Sequence, residues 1–512
     1  MTDAASIVLR SLSIRVDGRT LIRDVDAVFD AGRLTVVIGP SGGGKSVLLR
    51  TIADLHDPAS PIETSGDVSV GGGGASGKIR PRIGVVFQSY AVLDEFSSAD
   101  NVRLAIDHRP RRPDAEDPKP AAWWLEALAV PNLARPAVMS GGQRQRLAIA
   151  RTMAGRPDVV LYDEPTSGLD PAAAARVADL IADTARRFGR TSVVVTHDIE
   201  SWLSRADAVW LLDAGDATLR RLDDLEPDSV RRGMSIPAPA EPVGGRPSAG
   251  RRMVRRFNGV MEATGSAALA AARSPVDVFP LMPTSRWSGK MTWHYLRLAG
   301  GPSAAAYLSA SGAIAGFVAT FFVLRFLPMR IYTQPLLMDD LVAAIGFGLY
   351  RVLVPVLTTV LIAARTGAAL AGDVGTRRYG GQIDALRTLG VRPTSMLMRP
   401  ITLALLVTTP LWVWLAYHVA ATVSMLTFSA MHPDIGPAFW SLHFDRRTAP
   451  SDTGWVVGKS LASAVGVAAI GYHVGMRPKP TAAAVGTGVT TAVLWSTLFV
   501  LLVHFAASLI EF

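Results

Sequence analysis

The sequence contains no cysteine, which excludes every disulfide and every zinc or iron–sulfur site that needs thiolate ligands. Charged residues are also scarce, at 19% of the 512 residues, against about 25% in an average soluble protein. Hydrophobic residues reach 49%, so part of the chain needs a solvent other than water. A chain of this length also exceeds one hydrophobic core, and we expect at least two domains.

The start of the chain lacks the pattern of a cleavable signal, because the first thirty residues have no basic start followed by an apolar stretch. We therefore expect a cytoplasmic N-terminus. The formal net charge of +9 could indicate nucleic-acid binding, but arginine also accumulates on the cytoplasmic side of membrane spans. The positions of the basic residues decide between these two readings.

The amino-acid composition and the pattern of apolar residues change along the chain. Residues 1–232 alternate charged stretches with short apolar runs, which predict the buried strands of an α/β sheet. Residues 233–250 are rich in proline, glycine and alanine, so they predict a linker that cannot pack a core. The clearest apolar runs are Leu34–Ile38, Ile83–Phe87, Val159–Tyr162 and Ser192–Val195.

The first chemical motif follows the apolar run LTVVI and matches G-x-x-x-x-G-K-[ST]. A helix-forming sequence comes next, as this phosphate-binding loop requires, since its glycines let backbone N–H groups surround phosphate oxygens. Lys45 is predicted to contact the β- and γ-phosphates of ATP, and the Ser46 hydroxyl to bind Mg²⁺. The predicted nucleotide-binding residues of this loop are Gly39, Pro40, Ser41, Gly42, Gly43, Gly44, Lys45, Ser46 and Val47.

Two adjacent carboxylates end another apolar run, Val159–Tyr162, and a buried strand that ends in this way needs a cation. Asp163 is predicted to hold Mg²⁺, directly or through water, and Glu164 to polarise the water that attacks the γ-phosphate. A third apolar run ends in His197, a candidate hydrogen-bond donor to the γ-phosphate. Together with Lys45, these residues predict ATP hydrolysis.

The remaining motifs of this half resemble those of the ABC-type ATPases. Gln88, in the run VVFQS, resembles the glutamine of the Q-loop, which implies a catalytic role and a contact with Mg²⁺. Asp170 ends the run SGLD, which resembles the D-loop, and His197 resembles the switch histidine. The signature motif of the family is matched by Ser140, Gly141, Gly142 and Gln143.

This resemblance implies a head-to-tail dimer, in which ATP lies between the phosphate-binding loop of one copy and the signature motif of the other. Asp170 then belongs to the nucleotide site as well. The sequence departs from the family near Val16, where an aromatic ring usually stacks on adenine, because it has Val16 and Asp17 there.

The second half predicts about five membrane-spanning helices, since about 20 apolar residues cross a hydrocarbon core of about 30 Å. Before them, residues 251–297 include arginine pairs and apolar residues at helical spacing, which predict a helix at the membrane interface. The loops after the second and fourth spans are basic and are predicted to be cytoplasmic, so nucleic-acid binding is not expected. The spans within the predicted permease domain, 298–512, are 298–324, 341–364, 401–431, 460–476 and 481–510.

Several runs in this half resemble the MlaE/YrbE permeases, the membrane subunits of lipid transporters that work with MCE-domain proteins. They are Ala364–Asp373, Gly375–Leu386, Leu389–Pro393 and Gly458–Ser460. With the first half, they imply an α/β P-loop ABC ATPase domain followed by an all-α polytopic membrane domain of about five transmembrane helices.

The expected function is ATP-driven lipid transport by a homodimer in the bacterial inner membrane, with the ATPase domain in the cytoplasm. Implied partners are an MCE-domain periplasmic protein and a STAS-type cytoplasmic protein. The resemblance also implies a short coupling helix at Gly381–Leu389. Gly381 and Val352 replace acidic residues that the family has at these positions.

Two questions remain open. Arg351 lies within a predicted span and either contacts a lipid headgroup or pairs within the helical bundle. The G-subfamily exporters also place the ATPase before the permease, although their usual six spans and the Gln382–Leu386 run argue against that class. Non-transport ABC proteins that act on ribosomes or DNA normally carry two ATPase cassettes in a soluble chain, which the hydrophobic half excludes.

Overall fold

The computed structural model describes residues 5–56, 62–71, 81–109, 119–222, 286–326, 330–479 and 481–511. The predicted linker at 233–250 lies outside the described residues, as does most of the predicted interfacial region, up to residue 285. The chain forms two compact units.

The first unit comprises Met1–Arg252 and Arg377–Arg392. The strands of its described residues are β1 Ser6–Val16, β2 Arg19–Phe29, β3 Leu34–Ile38, β4 Ile62–Gly71, β5 Ile83–Val86, β6 Val159–Asp163, β7 Thr191–Thr196, β8 Ala208–Asp213 and β9 Thr218–Leu222. They form a six-stranded sheet in the order β5-β6-β7-β3-β8-β9 and a three-stranded antiparallel sheet in the order β2-β1-β4. The α/β class predicted from the sequence is confirmed.

The central strands explain where the site lies. Every residue of β3, β6 and β7 is buried, as expected for the continuous apolar runs of a parallel sheet covered on both faces. These three strands are parallel neighbours, so their carboxyl ends meet at one edge of the sheet, where ligands bind in such folds. The helices of this half are α1 Lys45–Ile52, α2 Ser98–Asp107, α3 Ala121–Ala127, α4 Gly141–Ala154 and α5 Pro171–Phe188.

The second unit is helical and comprises Met253–Thr376 and Pro393–Phe512. The helices in and adjoining it are α6 Arg286–Gly300, α7 Pro302–Arg325, α8 Arg330–Gly348, α9 Val354–Tyr379, α11 Arg399–Met431, α12 Gly436–His443, α13 Pro450–Met476 and α14 Ala482–Glu511. A short helix, α10 Gln382–Thr388, lies in the part of the chain that belongs to the first unit.

Among the described residues, five helical stretches are long and apolar enough to cross a membrane, which confirms the predicted number of spans. The fourth stretch begins at Pro450 and not at residue 460, because the polar side chains of its first turns, including Asp452, are paired inside the helical bundle. The chain is therefore a multi-pass membrane protein. The stretches are Arg286–Arg325, Leu337–Tyr379, Thr394–Met431, Pro450–Met476 and Ala482–Glu511.

Glycines let α7 and α11 approach closely. A Cβ atom added at Gly312 would lie 2.3 Å from the carbonyl oxygen of Ala416, and one at Gly316 would lie 2.1 Å from that of Ala420. Further along this contact, the Thr320 hydroxyl donates a hydrogen bond to Ser424 Oγ at 2.7 Å. Small residues and hydroxyl pairs of this kind are what hold helices together in lipid, where apolar burial gives little driving force.

Candidate functional site

The phosphate-binding loop has the geometry that its glycines predict. It connects β3 to α1, with Gly42 and Gly44 in the left-handed region at φ +76° and +100°. Lys45 is 4% exposed, and its Nζ atom donates to the carbonyl oxygens of Gly39 at 2.9 Å and Pro40 at 3.0 Å. The first turn of α1 presents its free backbone N–H groups at this place, so the loop suits an anion such as a nucleotide phosphate.

Ser46 and Asp163 come together as the sequence predicts. The Ser46 hydroxyl donates a hydrogen bond of 2.7 Å to Asp163 Oδ1. Burial raises the pKa of Asp163 above its usual value, and the hydrogen bond from Ser46 opposes that rise. A buried carboxylate beside a hydroxyl offers the oxygen ligands that Mg²⁺ prefers, so these residues fit that ion. The contact described for Gln88 is with the D-loop, where its Nε2 atom donates to Ser167 Oγ at 3.4 Å.

Glu164 contacts both Lys45, which is predicted to bind phosphate, and the predicted switch histidine. Its Oε1 atom lies 3.1 Å from Lys45 Nζ, and its Oε2 atom lies 2.7 Å from His197 Nδ1. The Glu164 side chain is 10% exposed and its backbone has a φ of +48°, a strained value for a residue with a side chain. Three of the four predicted catalytic residues, Lys45, Glu164 and His197, therefore form one continuous chain of contacts.

The signature motif forms the start of α4. Ser140 is the N-cap, and it forms a capping box with Gln143, in which Ser140 N donates to Gln143 Oε1 at 3.0 Å. Gly141 and Gly142 occupy the first turn, where side chains would otherwise cover the free N–H groups. Asp170 caps α5 in the same way and accepts a hydrogen bond from the Ala173 N–H at 2.9 Å.

The position of the missing aromatic residue is a tight turn. Val16 is the last residue of β1, and Asp17 and Gly18 connect it to β2 with φ values of +51° and +80°. A short hairpin thus stands where the related ATPases stack an aromatic ring on adenine.

The segment between the second and third spans, residues 377–392, packs on the ATPase fold within the first unit. The Arg377 guanidinium forms a bidentate pair with the carboxylate of Glu95, at 2.6 and 3.0 Å. Gln382 Nε2 donates to the carbonyl oxygen of Val92 at 2.8 Å. We call residues 377–392 the coupling segment, and its contacts begin directly after Gln88 in the ATPase sequence.

The helix of the coupling segment matches its prediction within one residue at each end. Gly381 is the N-cap of α10, and its φ of +72° is a conformation that a side chain would disfavour. A Cβ atom there would also lie 3.3 Å from Ser89 Oγ. The replacement of an acidic residue by Gly381 therefore has a structural reason. Ile383 and Leu386 are buried, as their spacing predicts.

Asp384 is a buried carboxylate among arginines. Its side chain is 2% exposed and lies 2.6 Å from Arg378, 3.5 Å from Arg387 and 3.7 Å from Arg50 of α1. Arg50 is 41% exposed, so solvent screens that contact and the pair with Arg378 dominates. Asp384 thus stabilises the coupling segment by pairing with two arginines of the same segment, and it also contacts α1.

Arg351 pairs within the helical bundle of the second unit. Its guanidinium contacts Glu511 and lies 3.1 Å from Asp452 Oδ1. Lys459 Nζ lies 2.8 Å from Glu511 Oε2 and donates to the Arg351 carbonyl oxygen at 3.0 Å. Two cations and two carboxylates therefore balance, which supports the pairing alternative, and Asp452 and Glu511 supply the acidic partners that Val352 cannot.

We expect Glu511→Gln to lower the free energy of unfolding by about 3 kcal/mol, because breaking a buried pair leaves charges without a counterion. Thermal unfolding of the full chain in detergent measures this change. The matched control is Asp340→Asn, which breaks an exposed pair with Arg447 of 2.9 Å and should cost less than about 1 kcal/mol. Equal, small shifts for both variants would contradict a stabilising role of the cluster.

Sequence reasoning missed the residues that hold the coupling segment on the ATPase side. Glu95 and Arg50 belong to no motif, and Ser89 ends the run VVFQS, in which only Gln88 was given a role. Ser89 Oγ donates to the Gly380 carbonyl oxygen at 2.7 Å. An isolated serine or glutamate has no sequence signal that identifies such a partner, so the structure was needed.

The fold and the site define an ATP-binding, ATP-hydrolysing domain joined to a multi-pass membrane domain. Residues 22–167 match the family model of the ABC transporter, and residues 299–510 match that of the permease MlaE. The chain therefore belongs to the ABC transporter family and unites an ATPase with an MlaE-type permease. It hydrolyses ATP to drive transport, as predicted.

The similar proteins match the ATPase half. The glutamate transport ATP-binding protein GluA of Corynebacterium glutamicum is 39% identical over 41% of this chain and 85% of its own length. The maltose/maltodextrin import ATP-binding protein MalK of Yersinia pestis is 38% identical over 41% of this chain and 57% of its own. A solved dimeric ATP-binding cassette in a post-hydrolysis state, with ADP and phosphate, is 27% identical, with a TM-score of 0.36 over 43% of this chain and 99% of its own.

Proposed function

We propose that this protein moves lipid by ATP hydrolysis, as a homodimer in the inner membrane of a bacterium with its ATPase domain in the cytoplasm. The coupling of hydrolysis to transport is supported by one observation: residues 377–392 contact the ATPase residues that follow Gln88. The lipid cargo is supported by the MlaE-type permease, not by GluA or MalK, since those proteins match the ATPase half alone.

The contacts support a division of roles in the ATP site. Lys45 and the N–H groups at the start of α1 bind the phosphates, while Ser46 and Asp163 would hold Mg²⁺, which neutralises phosphate charge when bound. Glu164 accepts a proton from the attacking water. His197 orients that carboxylate and contacts the γ-phosphate.

Two features of the chain that suit phosphate support the proposed homodimer. Ser140–Gln143 presents the free N–H groups of α4, which suit the γ-phosphate of a nucleotide held by another copy. Each dimer then has two composite sites, with the phosphate-binding loop of one chain and the signature motif of the other.

We expect ATP hydrolysis to return when two inactive variants are mixed. Ser140→Arg blocks the signature motif and Lys45→Ala removes the phosphate contact, but a mixed dimer keeps one composite site intact. Phosphate release should reappear after co-expression and purification through two different tags, and should stay near zero for each variant alone. A monomer with full activity would contradict the dimer.

The cargo is tested by mass spectrometry of molecules that copurify with the dimer, followed by reconstitution. We expect phospholipid bound to the purified protein, and ATP-dependent movement of that lipid in proteoliposomes. The Glu164→Gln variant is the control, since it should bind the same lipid without moving it. Copurification of a different hydrophobic small molecule, with no movement of phospholipid, would favour the G-subfamily alternative.

A further inference from the structure

The segment that follows Gln88 contains two consecutive strained residues. Tyr90 has a φ of +64° and Ala91 a φ of +51°, and neither is a glycine. The left-handed conformation costs roughly 1–2 kcal/mol for each such residue, so other contacts must hold it in place.

Arg151 supplies those contacts. This residue of α4 is 2% exposed, and its guanidinium donates to the carbonyl oxygens of Ala91 at 2.6 Å and Tyr90 at 3.3 Å. Burial lowers the pKa of Arg151 to about 10, so the group stays charged at neutral pH. A buried cation is costly unless its donors are used, and here they are used to hold the strained turn.

The strained turn touches functional elements on both sides. The Tyr90 hydroxyl lies 3.2 Å from the place that a Cβ of Gly141 would occupy, which is the first residue of α4 in the signature motif. The next carbonyl along the chain, that of Val92, accepts the hydrogen bond from Gln382 of the coupling segment. The helix that carries the signature motif thus contacts the turn at its first residue and again at Arg151.

We propose that Arg151 is a positioning residue, which holds the strained turn, Tyr90 and Ala91, in a fixed conformation. The turn then acts as a strut, a rigid connection between the coupling segment and the signature motif. A shift of the coupling segment then moves α4 and changes the alignment of the signature motif for hydrolysis. The inference rests on the proposed function, because the signature motif must act on nucleotide for its alignment to matter.

A double-mutant cycle on the full-length chain tests the strut. Arg151→Met should lower the maximal rate of ATP hydrolysis about tenfold, with little change in the affinity for a fluorescent ATP analogue. Arg377→Met, which breaks the pair with Glu95, should lower the rate as well. In the double variant, the loss in hydrolysis rate should be smaller than the product of the two single losses by about fivefold or more, since both changes act on the same strut.

The matched control is Arg186→Met, which removes a 62% exposed arginine of α5, and its effect should multiply independently with that of Arg377→Met. If Arg151→Met does not fold, the cycle with Arg151→Lys decides, because lysine keeps the charge but loses the forked donors. Independent effects of residues 151 and 377 in an active protein would overturn the strut alone. Hydrolysis that survives Lys45→Ala would instead overturn the proposed function.

Discussion

Glu164→Gln is expected to lower ATP hydrolysis by about a hundredfold or more while ATP binding persists. The amide has the size of the carboxylate but cannot accept the proton of the attacking water. Lys45, which lies beside Glu164, should stay in place, because its Nζ atom still donates to the carbonyl oxygens of Gly39 and Pro40. Phosphate release measures hydrolysis, and a fluorescent ATP analogue measures binding.

The comparison with Lys45→Ala makes this prediction specific. Lys45 is predicted to contact the phosphates directly, so its loss should weaken ATP binding itself as well as hydrolysis. His197→Ala should resemble Glu164→Gln, with ATP binding kept and hydrolysis reduced, since Glu164 loses its orienting contact of 2.7 Å. Hydrolysis by Glu164→Gln at the parent rate would show that another group activates the water.

Local sequence patterns predicted the parts of the molecule that depend on neighbours in the chain. The phosphate-binding loop needs glycines at fixed positions between a strand and a helix, and Gly42 and Gly44 have the left-handed backbone that this loop requires. The span count followed from apolar length, and α10 was implied by the resemblance of the run around Gln382 to the MlaE/YrbE permeases. Such features can be predicted because the residues that form each one are neighbours in the sequence.

Contacts between distant residues could not be predicted in this way. Glu511 and Arg351 are 160 positions apart, and Glu95 and Arg377 are 282 positions apart. A charged residue does not show in sequence which partner the fold brings to it. Arg351 therefore kept two alternatives until its contacts with Asp452 and Glu511 were known.

The departures from the permease family also have local explanations in the structure. Gly381 allows a left-handed N-cap against Ser89, so the coupling segment is held there by backbone shape and not by a charge. Its charge contacts come from Arg377 with Glu95 and from Asp384. The pair between Arg377 and Glu95 joins the coupling segment to the ATPase sequence directly. Variants of this pair therefore give the most direct test of the proposed coupling between ATP hydrolysis and transport.

Reversing either charge of this pair is expected to lower the amount of lipid moved per ATP hydrolysed, in addition to any fall in the hydrolysis rate. Arg377 is 4% exposed and Glu95 20%, so either Arg377→Glu or Glu95→Arg places like charges together with little solvent to screen them. Each single variant should lose about thirtyfold or more in lipid moved per ATP hydrolysed, because truncating or reversing a buried pair costs about 2 kcal/mol or more. Folding and ATP-analogue binding should persist, since neither residue contacts the phosphate-binding loop.

The double variant Arg377→Glu with Glu95→Arg provides the decisive control. It restores opposite charges across the same contact, so it should recover much of the lipid movement that each single variant loses. Movement is measured per ATP hydrolysed in proteoliposomes, and the exposed pair of Arg186 and Asp183, at 3.9 Å, gives a control charge reversal on the surface of α5. Normal transport by both single variants would remove the coupling role from this contact, and transport lost equally in the single and double variants would show that the residues act separately.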